Sequence, residues 1–220
     1  ERPISVAALN SAMDTDQEIF LVTQKDVTTD LPDEGDLYKV GVVCRIRQLI
    51  RQPGSKLCKV MVEGLQRGRI VQIKAASPHF VGEIQLLPDK REHSDSARRD
   101  ALMRTCIGMF DEYVQLAGNM PPEMLLSIVV SRDPGYVADY IAHNLRIDYR
   151  DKQQLLEQLH PLKRLEMLVK TLSHEIEVMT IEQEINDATN EQMNRNQREY
   201  FLREQMKVIQ QELGEDDSFD

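Results

Sequence analysis

From Leu162 to Leu213 the chain contains neither glycine nor proline. That run of 52 residues permits one uninterrupted helix of about 78 Å at about 1.5 Å per residue. Its early apolar positions, Leu162, Leu165, Val169, Leu172, Ile176 and Met179, recur at alternating three and four residues, the spacing of a helix seam. A later set, Leu202, Met206, Ile209 and Leu213, keeps the same spacing but falls in the frame of Ile181 and Ile185, two residues out of phase with the first. Two residues are about 200° of rotation, so the two seams face nearly opposite sides. Either the helix breaks in the weakly apolar stretch 186–199, or it packs on its own bundle first and on something else later. The second reading is preferred, because a bundle satisfied by the first seam leaves the other free for a partner. Gly214 then supplies a helix-ending residue ahead of the acidic tail 215–220.

Charge follows the same division. Residues 1–150 carry 19 Lys/Arg against 21 Asp/Glu, and residues 151–220 carry 8 against 16, so most of the net charge of −10 lies at the back. No stretch approaches the roughly 18 uninterrupted apolar residues of a membrane span, and no membrane partner is expected. The chain opens Glu1-Arg2-Pro3, with no initiator Met and no charged leader before an apolar run, as expected of an internal fragment. Cys44, Cys58 and Cys106 match no zinc or redox spacing and are expected as reduced thiols in a cytoplasmic protein.

Pro3 is placed to start a first helix carrying Val6, Leu9 and Ala12. The continuous run Ile19-Phe20-Leu21-Val22 reads as a strand buried on both faces, and 26–36, with Pro32 and Gly35, as a surface loop. Val40, Val42, Cys44 and Ile46 alternate with Gly41, Val43, Arg45 and Arg47, and a turn at Pro53-Gly54 leads to Cys58, Val60 and Val62, so a hairpin with one buried face is expected. That turn sets Cys44 opposite Glu63 and Cys58 opposite Leu49. Two further strands are expected near 69–75 and 80–87, the second with Phe80, Ile84 and Leu86 on one face. From 94 onward the period becomes helical. A helix over 95–117 carries Ala101, Leu102, Thr105, Cys106, Met109 and Val114 and stops at Gly118-Asn119. Short helices follow after Pro121-Pro122, after Asp133-Pro134 and over 152–159. The fold class is therefore α+β: a small, mostly antiparallel sheet or barrel over 1–90, a helical bundle over 91–160, and a long, possible coiled-coil helix with its tail over 161–220.

Catalytic chemistry has no foothold in these residues. There is no Gly-x-x-x-x-Gly-Lys-Ser/Thr loop to cradle phosphates, no nucleophile motif, and His174-Glu175 lacks the second His of a zinc-protease helix. No catalytic, cofactor-binding or metal-binding residue is expected in the chain. One cluster points to another chemistry: Arg45, Arg47, Arg51 and Lys59 belong to a run of cations over 45–74 with one acid, Glu63. As a basic strip on a shared strand face they would bind phosphates, making nucleic acid the alternative partner. No aromatic residue lies between Tyr38 and Phe80 to stack bases, which weakens that alternative.

The run Arg198-Glu199-Tyr200-Phe201-Leu202-Arg203-Glu204-Gln205-Met206-Lys207-Val208-Ile209-Gln210-Gln211-Glu212-Leu213-Gly214 closely resembles the "REYxLREQxKxIQxELG" segment of the Lon ATP-dependent proteases. Segments 16–25, 36–43, 60–67, 120–123 and 138–142 resemble that family in the same order, over essentially the whole chain. The resemblance implies a PUA-like β domain, a helical bundle and a long helix, with the AAA+ ATPase and Ser-Lys protease domains beyond the last residue. It also implies a short β segment ahead of the position of Glu1, without which the β domain is not expected to close fully. ATP and Mg2+ are implied for the parent protein, and none is implied for this region. The implied role is non-catalytic: recognition of unfolded or degron-bearing polypeptides, among them misfolded and short-lived regulatory proteins, and assembly of a homo-hexamer. Val43, Met61 and Val71, on the less buried strand faces, are the candidate grip residues. Tyr200, Phe201, Leu202, Met206, Ile209 and Leu213 are the candidate assembly and coupling positions. A purely structural spacer is the third reading.

Overall fold

The computed structural model describes residues 2–51, 58–90, 96–118 and 121–213. The Pro53-Gly54 turn, Asn119, Gly214 and the acidic tail lie outside the described residues. Helix α1 (Pro3–Met13) begins with proline, whose fixed φ and missing N–H suit the first helical position. Strands β1 (Glu18–Leu21), β2 (Val40–Arg51), β3 (Cys58–Ala75) and β4 (Val81–Leu86) form one antiparallel sheet in the order β1-β2-β3-β4. The helices are α2 (Ser96–Ala117), the single turn α3 (Leu126–Val129), α4 (Pro134–Asn144), α5 (Tyr149–Glu157) and α6 (Pro161–Glu212). One helix and the sheet, then the remaining helices with a long last one: the α+β expectation holds.

Several details differ, each for a physical reason. The apolar run at 19–22 forms an edge strand, and Leu21 is 40% exposed. Strand β1 pairs with β2 alone, and only one of its sides, where Ile19 meets Leu9, Ala12 and Ile46, is covered by α1. The two strands expected over 58–63 and 69–75 are one strand of 18 residues, paired with β2 along its first part and β4 along its second. Gly64 and Gly68 sit inside it without breaking it. At Gly68 a Cβ would lie 2.6 Å from Ile84 Cγ2 and 3.0 Å from the Phe20 ring, so the missing side chain admits the neighbouring strands. Leu86 is 53% exposed, and Leu87 is buried in its place.

Bulges account for the altered hairpin register. The pairing skips Arg47 in β2 and Leu65 in β3, setting Cys44 opposite Gly64 and Cys58 opposite Arg51. All three cysteines are free. The sheet stays open: β1 and β4 are its edges among the described residues, and a cleft of about 640 Å3 lies between them and α1, walled by Leu9, Ile19, Phe20, Phe80 and Ile84.

The main core belongs to the helices. Phe110, Ile128, Val137, Ile141, Leu165, Leu168 and Leu172 are fully buried together, each worth about 1.5–3 kcal/mol of transfer free energy. The buried side of α2 is Met103, Cys106, Phe110, Tyr113 and Val114. The expected face caught Cys106 and Val114, while Leu102 and Met109 are partly buried at its margin and the bulky Phe110 and Tyr113 define its centre. Residues 122–125 form a 3-10 turn ahead of α3, and Asp133 caps α4 by accepting a hydrogen bond from Gly135 N at 2.8 Å. Helix α6 is continuous over its 52 residues.

Candidate functional site

Three surfaces come from these elements. The first is the outer face of the β2–β3 hairpin. Opposite residues of an antiparallel pair share a face, so Arg45 and Glu63, Gln48 and Met61, and Ile50 and Lys59 lie together. Met61 and Ile50, diagonal neighbours here, are both exposed. The three candidate grip residues do not converge. Met61 and Val71 are ten residues apart on β3, about 30 Å at strand rise. Val71 sits in the bulge between Ile70 and Gln72, and Val43 is half-buried opposite Gln66.

The basic strip is not one strip. Passing the bulge at Arg47, the side-chain parity of β2 changes, and Arg51 falls on the face of Cys58, Val62 and α1, where it donates to Asn10 Oδ1. Arg45 pairs with Glu18 at 2.7 Å and Arg47 donates through Nε to Glu63 at 2.6 Å. Ion pairing thus neutralises two cations, and geometry removes a third from the face that keeps Lys59.

The second surface is a buried ionic junction between sheet and helices, which no local pattern announced. Arg164, in the first turn of α6, is 1% exposed and donates through both terminal nitrogens to Asp89, each at 2.8 Å. Its Nε lies 3.4 Å from Asp139 on α4, close enough for charge attraction without a hydrogen bond. Arg67 of β3 reaches the same group, pairing with Asp139, lying 3.5 Å from Asp89 and donating to the Leu156 carbonyl at 3.0 Å. Gln153 of α5 donates to the Val40 carbonyl of β2, and Lys90 N to the Leu159 carbonyl.

The third surface is the outer length of α6. Leu162, Leu165, Leu168 and Leu172 are buried in the bundle and Val169, Ile176 and Met179 pack against it, so the early seam performs as expected, with Leu168 added. Tyr200, Phe201, Leu202, Met206, Ile209 and Leu213 are exposed, as are Ile181 and Ile185. Burial pushes the Cys106 thiol up to about 12 and raises that of Cys44.

A curled sheet rests on a helical bundle, which is extended by a helix whose second seam is exposed. Residues 1–174 match the family model of the ATP-dependent protease La (LON) substrate-binding domain. The chain belongs to the Lon substrate-binding domain family. It is 42% identical over 216 residues to the Lon protease of Syntrophomonas wolfei, covering 98% of this chain and 26% of that protein. Against the Lon protease of Escherichia coli K12 the figures are 40% over 216 residues, with 98% and 27% covered. The chain thus spans about a quarter of the length of the curated relatives it matches. Among solved structures, the N-terminal domain of Mycobacterium avium complex Lon protease matches with a TM-score of 0.60 at 20% identity, covering 77% of this chain and 85% of that one, a likeness of fold.

Proposed function

We propose that this region is the non-catalytic, polypeptide-gathering and assembly part of an ATP-dependent protease, taking misfolded or degron-bearing chains as substrates. The observation that carries the reading is the exposed Ile50–Met61 pair on the hairpin face of a substrate-binding family member. Apolar side chains left in water beside Lys59 favour weak, sequence-tolerant contact with the apolar segments an unfolded chain exposes. Helix α6, rooted in the bundle and apolar on its outer seam, supports the further reading that copies of the protein, a hexamer in the parent, engage one another or a following domain along it.

ATP and Mg2+ belong to the parent protein in this proposal. The sequence has no phosphate loop, and among the described residues no group of three or more His, Cys, Asp or Glu is placed to hold a metal ion, so no step is assigned to either here. No described helix is long and apolar enough to cross a membrane. A cytoplasmic location remains part of the proposal. Nucleic acid is the less supported partner, since Arg45 and Arg47 are ion-paired and Arg51 lies on the other face.

The test is equilibrium binding of a permanently unfolded, apolar-rich polypeptide to the 220-residue chain. Ile50→Asp/Met61→Asp is expected to weaken it at least tenfold, with the far-ultraviolet spectrum unchanged. Equal affinity in the double variant would remove the hairpin face from the reading, and no binding at high micromolar concentration would remove the gathering role.

A further inference from the structure

On the outer face of the β2–β3 hairpin, beside the exposed apolar pair, one cation stands without an acid among the described residues. Alternate residues of a strand share a face, so Lys59, Met61 and Glu63 follow one another on it, with Ile50 opposite Lys59, Gln48 opposite Met61 and Arg45 opposite Glu63. Charges at the Glu63 end are paired off: Glu63 accepts from Arg47 Nε at 2.6 Å, and Arg45 pairs with Glu18 at 2.7 Å. Arg51 lies on the other face, held by Asn10. Lys59 is exposed and forms no ion pair with any described residue. Four residues of strand set its Cα about 13 Å from that of Glu63, beyond the screening length of about 8 Å at physiological salt. The positive potential at the Ile50–Met61 end of the face is therefore left standing.

We infer that Lys59 gives the hairpin face a charge preference: of the apolar segments in an unfolded polypeptide, it favours those with Asp or Glu two residues from the side chain seated on Ile50 and Met61. The preference rests on the polypeptide-gathering role proposed above and narrows the class of segment taken. Lys59 and Met61 are two residues apart on one strand, about 6.6 Å. An extended segment laid along β3 repeats that spacing, because its own alternate residues share a side. An apolar residue over Met61 thus brings the residue two positions along over Lys59, where the ammonium donates to a carboxylate. The residue between them points away from the sheet and gains nothing. Lys or Arg at the favoured position would meet a like charge. The net charge of −10 acts in the opposite sense, drawing basic chains from a distance. A preference for acid that depends on its position in the segment is therefore the mark of Lys59 and not of net charge.

Fluorescence anisotropy of labelled synthetic peptides titrated with the 220-residue chain tests the preference. The peptides are serine-rich with two leucines at alternate positions, and they differ only at the alternate positions flanking that pair, which hold Glu, Gln or Lys. Placing the variable residue on both sides presents one to Lys59 in either direction of binding. A fourth peptide carries the same two Glu one residue further out, on the side turned away from the sheet. At low salt the Glu peptide is expected to bind about threefold tighter than the Gln peptide and the Lys peptide about threefold weaker, the scale of an exposed ion pair. The displaced-Glu peptide should match the Gln peptide. Lys59→Glu should reverse the order of Glu and Lys peptides, Lys59→Gln should level it, and salt at about 0.5 M should level it in the unaltered chain. Equal affinity for Glu and Gln peptides, an order unchanged in Lys59→Glu, or the same gain from displaced Glu would overturn the charge preference and leave the gathering role standing. Failure of every peptide to bind at high micromolar concentration would overturn both.

Discussion

Arg164 is the residue whose loss most directly tests the ionic junction, and the outcome hinges on which partner is removed. The guanidinium is 1% exposed, whereas the carboxylates of Asp89 and Asp139 are 36% and 46% exposed. Replacing Asp89 strands a fully buried cation with only the 3.4 Å contact to Asp139 and the Gln158 carbonyl at 3.2 Å, and removes the Arg67 contact at 3.5 Å as well. Breaking a buried pair by deleting one partner costs about 3–5 kcal/mol when the remaining charge cannot reach water. Replacing Arg164 by Met keeps most of the buried volume and leaves two carboxylates that water can solvate. Discounted for that solvation, the loss is about 1–2 kcal/mol. Asp89→Leu should therefore be the more harmful change by about 2 kcal/mol, a difference of about 4–8 °C in melting temperature for a chain of this size. Guanidinium chloride unfolding monitored by circular dichroism, with the slope checked for two-state behaviour, gives both numbers. If Arg164→Met costs as much as Asp89→Leu or more, the asymmetry of burial does not govern this junction and the reasoning fails.

Leu168, fully buried on α6, should cost about 2–5 kcal/mol when changed to Ala, measured in the same unfolding experiment. At Gly41 a side chain would collide with the Leu21 carbonyl oxygen, so Gly41→Ala should destabilise by about 1–3 kcal/mol and speed amide exchange at Glu18–Leu21, and an unchanged exchange rate there would contradict the close approach of β1 and β2. With its thiol raised to about 12 by burial, Cys106 should resist alkylation at pH 8 in the native protein while half-buried Cys58 reacts; mass mapping checks this, and denaturant should make all three cysteines equivalent.

Helix α6 was legible because a three-four repeat over a glycine-free, proline-free stretch has few other ways to fold, and its phase change foretold which part would leave the bundle. Strand β3 was not, because Gly64 and Gly68 look like turn residues in sequence, whereas both lie inside the strand and Gly68 is a close-approach point in the sheet. Bulges defeat alternation arguments more thoroughly: one extra residue at Arg47 moved Arg51 to the other face, and nothing in the local pattern marks that residue. Arg164 reads as an ordinary exposed cation in a first helical turn. Its burial depends on Asp89, 75 residues earlier, and pairings across that separation leave no periodic trace. The candidate grip residues came from alternation alone, which assigns a face without saying how far apart two residues on it lie.

The stiffness of α6 has a mechanical consequence. Beyond Met179 its exposed part runs to Glu212, about 50 Å of unbroken helix. A rod of that length clamped at one end is a lever, and a tilt of about five degrees at the root carries the tip about 4 Å. Arg164 grips the root, in direct contact with the residues that follow the sheet. A small change in how the sheet sits on the bundle would therefore emerge at the far end of α6 as a displacement as large as a side chain.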